Sequence, residues 1–266
     1  MKLQIVPARQ GVQWVKLGIR AFWAKPMALS GLFFMFMAVI SVLSMVPLLG
    51  NVLALALLPA ATLGLMAATK ETLSGKFPMP VVLLSAFRAG KQQARAMLLL
   101  GAIYAVVFLI VLGISALADG GKFARLYLIG GSMSAELIQA PDFEMAVLIA
   151  MALYMPLSLM FWHAPALVHW HGVSPVKSLF FSLIACLRNF WAFTVFGMVW
   201  VGVFIGMGMV IATISALLGS PDLVAAIMFP GSMLLAAMFF TSLYFTFRDS
   251  FEEEVTKATE ATGDTP

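Results

Sequence analysis

Charge is what this sequence has least of. Only 11% of its 266 residues are Asp, Glu, Lys or Arg, against about a quarter in an ordinary soluble domain. That scarcity, with 62% hydrophobic residues and a mean hydropathy of +1.00, excludes a soluble globular enzyme, a disordered tail protein and a nucleic-acid binder of the usual kind. Cysteine is nearly absent. The single Cys186 can close no intramolecular disulfide, so no disulfide framework exists and no redox compartment can be read. It stands between Ala185 and Leu187 and reads as a small core residue. Catalytic signatures are missing too: there is no Walker loop, zinc-protease motif, dinucleotide fingerprint or Gly-x-Ser-x-Gly nucleophile turn. The expectation is a protein that is not an enzyme and has no cofactor.

What remains is apolar and long. A bilayer core about 30 Å thick needs roughly 20 apolar residues per helix, and six stretches qualify: Pro26–Val46, Asn51–Thr69, Ala96–Leu117, Met145–Val168, Phe190–Leu217 and Leu223–Phe247. None contains Asp, Glu, Lys or Arg, which disfavours a proton-coupled pump, because a relay needs groups that change charge. A β-barrel would alternate apolar and polar residues with period two, and these runs do not. The basic N-terminus leads into an apolar stretch long enough to span, so it reads as the start of a membrane chain rather than a cleaved signal. Pro47-Leu48-Leu49-Gly50 joins the first two spans and Gly219-Ser220-Pro221-Asp222 the last two, short turns with helix breakers. The predicted fold is all-α: a polytopic membrane protein of six transmembrane helices in three hairpins, a single domain over residues 1–248.

Basic residues set the orientation. With both termini in the cytoplasm, 14 Lys and Arg face inside and only Lys122 and Arg125 face outside, as the positive-inside rule demands. The outer face then comprises two tight turns and a loop near residues 118–144. Residues 249–266 hold six acids and one lysine, a local charge of −5. With so little apolar surface, they are expected to be a disordered cytoplasmic tail.

A repeat is visible. Each hairpin follows a basic, amphipathic stretch expected to lie in the cytoplasmic interface. In the first, Arg9, Gln13, Lys16 and Arg20 line one helical face and Val12, Val15, Ile19 and Phe22 another, while Trp14 and Trp23 suit the headgroup level. In the second, Gly75-x-x-Pro78 is followed by Ser85 and Lys91; in the third, Gly172-x-x-Pro175 is followed by Ser182 and Arg188. The offsets from proline are seven and thirteen in both. Gly11 and Lys25 fit this scheme only loosely.

The segments Val6-Pro7-Ala8-Arg9-x-Gly11-x-x-Trp14, Pro47-Leu48-Leu49-Gly50 and Ala164-Pro165-Ala166-Leu167-Val168 with His171 resemble an uncharacterised family of proteobacterial inner-membrane proteins, over most of the chain. Ser182 to Arg188-Asn189-Phe190-Trp191 more distantly resembles the membrane domain attached to some glycerophosphodiester phosphodiesterases. The metal-binding soluble domain of those enzymes has no counterpart here. The resemblance implies location, the inner membrane, and architecture, not a reaction.

Candidate sites are few. The cytoplasmic cations Arg9, Lys16, Arg20, Arg88, Lys91, Arg95 and Arg188 are candidates for anionic headgroups, since each juxtamembrane basic residue contributes roughly 1 kcal/mol near an anionic surface. Arg88, Lys91 and Arg95 are spaced three and four apart, and the positive-inside rule alone would also place such charges. Gly202 and Gly206, in a small-residue stripe, are expected to let a helix pack closely, within the chain or from a second copy. His163, near the cytoplasmic end of its span, with His169 and His171 beyond, reads as a packing or interfacial histidine; a metal would need convergent ligands, and none is assigned. The nineteen methionines read as packing. Pro59, Pro156, Pro165 and Pro230 can kink their helices and free carbonyls. Two functions follow: a non-catalytic protein that engages anionic lipids or protein partners at its cytoplasmic face, or a transporter with a path between the hairpins. A polar cavity at mid-membrane depth would favour the second. Lipids are the expected partners, with a homo-oligomer or other proteins next and no nucleic acid.

Overall fold

A computed structural model describes residues 2–220 and 222–252. Strand β1 (Lys2–Leu3) leads into α1 (Gln10–Ala24), α2 (Pro26–Ser44) and α3 (Leu49–Leu73). A 3₁₀ turn (Pro80–Leu84) and the short α4 (Ser85–Arg88) precede α5 (Lys91–Asp119). The loop that follows holds α6 (Lys122–Ile129) and α7 (Ala135–Ile138). Then come α8 (Pro141–Trp162), α9 (Ala164–His171), α10 (Pro175–Arg188), α11 (Phe190–Leu217), α12 (Asp222–Ser250) and strand β2 (Phe251–Glu252). Six helical stretches are long and apolar enough to cross a bilayer, at Pro26–Ser44, Leu49–Leu73, Lys91–Asp119, Pro141–His171, Phe190–Leu217 and Ala226–Ser250. The protein is a multi-pass helical membrane protein. Of the acidic stretch expected to be disordered, residues 253–266 lie outside the described residues. Asp249 and Ser250 complete α12, and Phe251 pairs with Leu3 in an antiparallel ladder.

The fourth span is broken where the sequence suggests one run. Pro165 enters the first turn of α9; its ring would clash with a carbonyl four residues back and it offers no N–H. The helix therefore stops at Trp162 and restarts at Ala164. The second cytoplasmic stretch is broken too. Gly90 adopts φ +114°, a conformation that favours glycine, so Arg88 ends α4 while Lys91 and Arg95 belong to α5. These three cations do not share one helical face, as their spacing suggests.

The two ends of the bundle are tied separately. At one end the α2–α3 turn meets α6: the Leu48 N–H (2.9 Å) and Asn51 Nδ2 (2.8 Å) both donate to the Leu128 carbonyl. Those bonds hold Leu48 at φ +62°, a costly angle for a branched side chain that persists only where surrounding contacts fix it. At the other end residues 2–14 meet residues 189 and 248–252. Besides the β1–β2 ladder, Asn189 accepts from the Val6 N–H at 2.8 Å and donates to the Gln4 carbonyl at 3.0 Å. Asp249 accepts from Gln10 Nε2 (2.7 Å), Trp14 Nε1 (3.0 Å) and Arg248 Nε (2.8 Å). The β1–β2 ladder thus lies at one end of the bundle and α6 of the 118–144 loop at the other.

The short helices interlock in a ring. Helix α1 packs on α12 and α11, the 3₁₀ turn and α4 pack on α3, and α10 packs on α8. Each rests on the second span of the preceding repeat, and the first closes the circle on the last. Close approach comes from α1: a Cβ on Gly11 would overlap the Ala192 carbonyl and the Phe196 backbone, and one on Gly18 would overlap Ser242. Seven residues apart, the two glycines share a face. Trp14, between them, is fully buried against Phe193 and Phe196, so the headgroup-level expectation for Trp14 is corrected. Its ring fills the core and its N–H is taken by Asp249. Trp23 is exposed.

Candidate functional site

All seven cationic candidates are exposed at the end of the bundle that carries the termini. Arg9 immediately precedes α1, Lys16 and Arg20 lie on its outer face, Arg88 closes α4, Lys91 opens α5 with Arg95 one turn on, and Arg188 closes α10. Among the described residues none of the seven has an acidic partner; the ion pairs there are Lys122–Asp142 at 2.5 Å and Arg248–Asp249 at 2.8 Å. Lys70, also at this end, stands over the Trp170 ring at 5.1 Å. Repeat geometry reinforces the placement. Gly75 and Gly172 both take left-handed φ, +75° and +63°. Pro59 and Pro156, each sixteen residues before its glycine, both lie inside a span. Pro7 stands thirteen residues before Arg20, the proline-to-cation offset of the other two copies, so the first repeat fits through Pro7 and Arg20 rather than through Gly11 and Lys25.

An apolar groove of about 370 Å³ is walled by Phe36 and Ile40 of α2, Ala60 and Ala61 of α3, and Pro80, Leu84 and Phe87. Phe87 is the chain neighbour of Arg88. The groove and the cation therefore share the 3₁₀–α4 segment, which Gly64 admits by leaving room for the Leu83 backbone.

The serines at corresponding positions do different things. Ser182 Oγ donates to the Leu159 carbonyl at 2.7 Å and accepts from the His163 N–H at 2.9 Å, bridging the break between α8 and α9. Ser85 Oγ is buried with no hydrogen-bond partner. Cys186, beside Ser182, is buried, and that burial pushes its thiol up to about 12. His163 is fully buried among Phe193, Phe247 and Phe251, with neither ring nitrogen hydrogen-bonded. It packs as a ring. Among the described residues no three His, Cys, Asp or Glu side chains converge as a metal site would require.

Gly202 and Gly206 do not support a helix crossing within the chain. A Cβ at either meets nothing within 4 Å, which corrects the expectation of intramolecular packing there. In this chain Gly11, Gly18, Gly64 and Gly101 make the close approaches instead.

A second feature has no signal in the sequence. Three cavities of about 180, 270 and 320 Å³ meet at Leu58 of α3. Tyr104 and Tyr154 line two of them, Tyr127 lines two, and Thr62, Ser158, Ser44 and Asn51 add polar atoms at the ends. Three of the chain's four tyrosines converge around one ring, Phe108, at centroid distances of 6.1 Å (Tyr104), 5.1 Å (Tyr127) and 5.9 Å (Tyr154).

A probable inner membrane protein of Burkholderia thailandensis is 38% identical over 254 residues, covering 94% of this chain and 94% of its own length. No family profile matches the chain, and no solved structure does.

Proposed function

Since the chain belongs to the family of this Burkholderia inner-membrane protein, its surroundings are a bilayer, and we propose that it is a non-catalytic protein that holds anionic phospholipid at its cytoplasmic rim. The observation that carries this reading is the junction at Phe87–Arg88. An apolar groove wide enough for an acyl chain is lined by Phe87, the residue before an exposed cation without an acidic partner among the described residues, with Lys91 and Arg95 in the next two turns. Three such cations are worth roughly 3 kcal/mol to an anionic headgroup. The terminal face is cytoplasmic in this proposal, on the strength of the 14-to-2 basic count. The distant likeness to the phosphodiesterase membrane domain contributes architecture alone.

The test is native mass spectrometry of the protein released from membranes containing phosphatidylglycerol and cardiolipin. Replacing Arg88, Lys91 and Arg95 together with Gln should strip the anionic adducts and leave phosphatidylethanolamine adducts in place. A correctly inserted triple variant that keeps its full anionic complement reduces these residues to topology signals. A second reading, passage of a small molecule or lipid between the hairpins, draws on the crevice at Leu58. Reconstituted vesicles that move no labelled lipid faster than protein-free ones would remove it.

A further inference from the structure

The crevice at Leu58 has a chemistry of its own, distinct from the basic rim. Its three segments are lined by aliphatic and aromatic side chains with hydroxyl and amide groups among them, and no Asp, Glu, Lys or Arg lines any of them. From Thr62 to Asn51, eleven residues along α3, it runs about 16 Å at 1.5 Å per residue, roughly half a bilayer core. It is open on its flank. Met151 and Tyr154 of α8 line it, yet are 65% and 42% exposed, on a surface that faces hydrocarbon in a membrane, and Tyr127 of α6, 45% exposed, lines it from the loop beyond the span. Tyr104, in contrast, is only 6% exposed and stands at the back, its hydroxyl within interaction range of that of Tyr154.

These features specify a ligand. A charged headgroup finds no counter-ion here, and desolvating it would be costly. A hydrocarbon chain would gain nothing from the phenols, which are hydrogen-bond donors needing acceptors where there is no bulk water. Burial, and then Tyr154, hold the Tyr127 hydroxyl above its usual titration range, so it stays a donor. The lateral opening admits a molecule already dissolved in the bilayer. We propose that this crevice is a binding site for a neutral lipid of the diacylglycerol type, its ester carbonyls accepting from Tyr104, Tyr127 and Tyr154 and one acyl chain lying along Leu58. Pro59 serves the same site: it removes a backbone hydrogen bond in the wall of the crevice and leaves the α3 carbonyl of Leu55, another lining residue, as an acceptor for a glycerol hydroxyl.

The site stands independently of the anionic rim, and the experiment separates the two. Full-length protein is reconstituted in phosphatidylcholine vesicles with a trace of diacylglycerol carrying a photoreactive diazirine in its acyl chain. After irradiation the cross-linked peptides are mapped. Labelling should concentrate on α3, α5 and α8 around Leu58, Tyr104 and Tyr154, and unlabelled diacylglycerol should displace it. Tyr104→Phe with Tyr154→Phe should lower the displaceable labelling by roughly two- to tenfold for each hydroxyl lost without lowering the melting temperature. Leu58→Trp, which fills the junction, should abolish it; if that variant misfolds, the tyrosine pair decides alone. Labelling spread over lipid-facing Met198, Val201 and Phe204, or undisturbed by the tyrosine pair, overturns the site. So does equal displacement by hexadecane, which would mean that the crevice reads chains and not a neutral head. The Arg88/Lys91/Arg95 triple variant should label like the parent, so a failed rim leaves this result intact.

Discussion

Helices α11 and α12 form one hairpin, but its two halves are held in different ways. In the half nearest the termini, Gly11 and Gly18 of α1 let backbones touch, Phe196, Phe245 and Phe247 are buried, and Asn189 and Asp249 anchor the chain ends. In the far half, Phe204, Ile205, Met209, Val210, Ile214 and Leu217 are exposed, and Gly202 and Gly206 touch nothing. Composition does not separate the halves, since both are apolar and rich in small residues. Lipid tails are as apolar as leucine, so hydrophobicity cannot press helices together within a bilayer; close packing and hydrogen bonds must. The inner half has both, through a fifteen-residue helix that the far half lacks.

The sharpest way to break this contrast is to exchange the outcomes of two glycine substitutions. Gly18→Leu should destabilise the protein by about 3 kcal/mol or more, because the clash is with the Ser242 backbone rather than a movable tip. Detergent melting or limited proteolysis would read it. A Gly18→Leu variant as stable as the parent would show that the inner half is not the keystone. Next in size, Asp249→Ala strands the buried Trp14 N–H and releases Gln10, an expected loss of about 1–3 kcal/mol. Hydrogen exchange should rise at residues 2–14 first and leave α5 protected. The thiol reports the packing from inside: with its pKa pushed to about 12 by burial, Cys186 should stay unlabelled by maleimide at pH 8 in the folded protein and react fully after denaturation. Rapid labelling of the native state would mean that α10 does not stay seated on α8. The smallest effect belongs to the far half. Gly202→Leu with Gly206→Leu should move the melting temperature by no more than a degree or two, within roughly 0.5 kcal/mol. A large loss would reveal a partner helix from a second copy.

Much of the architecture was written in composition and charge. Six spans emerge because long uncharged runs have no alternative to the bilayer, and the turn at Pro47 and the break at Gly219 are marked by residues that end helices. The repeat was legible through Gly75 and Gly172, whose shared left-handed angle the sequence could only hint at. The pair Gly11 and Gly18 carried its signal openly, seven apart with a tryptophan between, but the stripe at Gly202 looks equally apt for packing; only the three-dimensional path of α1 tells them apart. The tyrosine crevice was not legible at all. Tyr104, Tyr127 and Tyr154 are 23 and 27 residues apart on three different helices, and nothing local in a sequence announces a meeting of that kind. The seven cations share one end of the bundle, but the break at Gly90 divides three of them between two helices.

The clasp between the chain's ends has a consequence for how the protein is made. Trp14 leaves the ribosome 235 residues before Asp249, its hydrogen-bond partner. At about 5–20 residues per second, α1 must wait tens of seconds at the membrane surface before the helix it docks on exists. During that interval its exposed face carries Arg9, Lys16 and Arg20 while Trp14, Val15 and Phe22 have nowhere to go but the lipid interface. Docking of α1 is therefore a late event: the clasp of Trp14 on Asp249 can close only after α12 has been made.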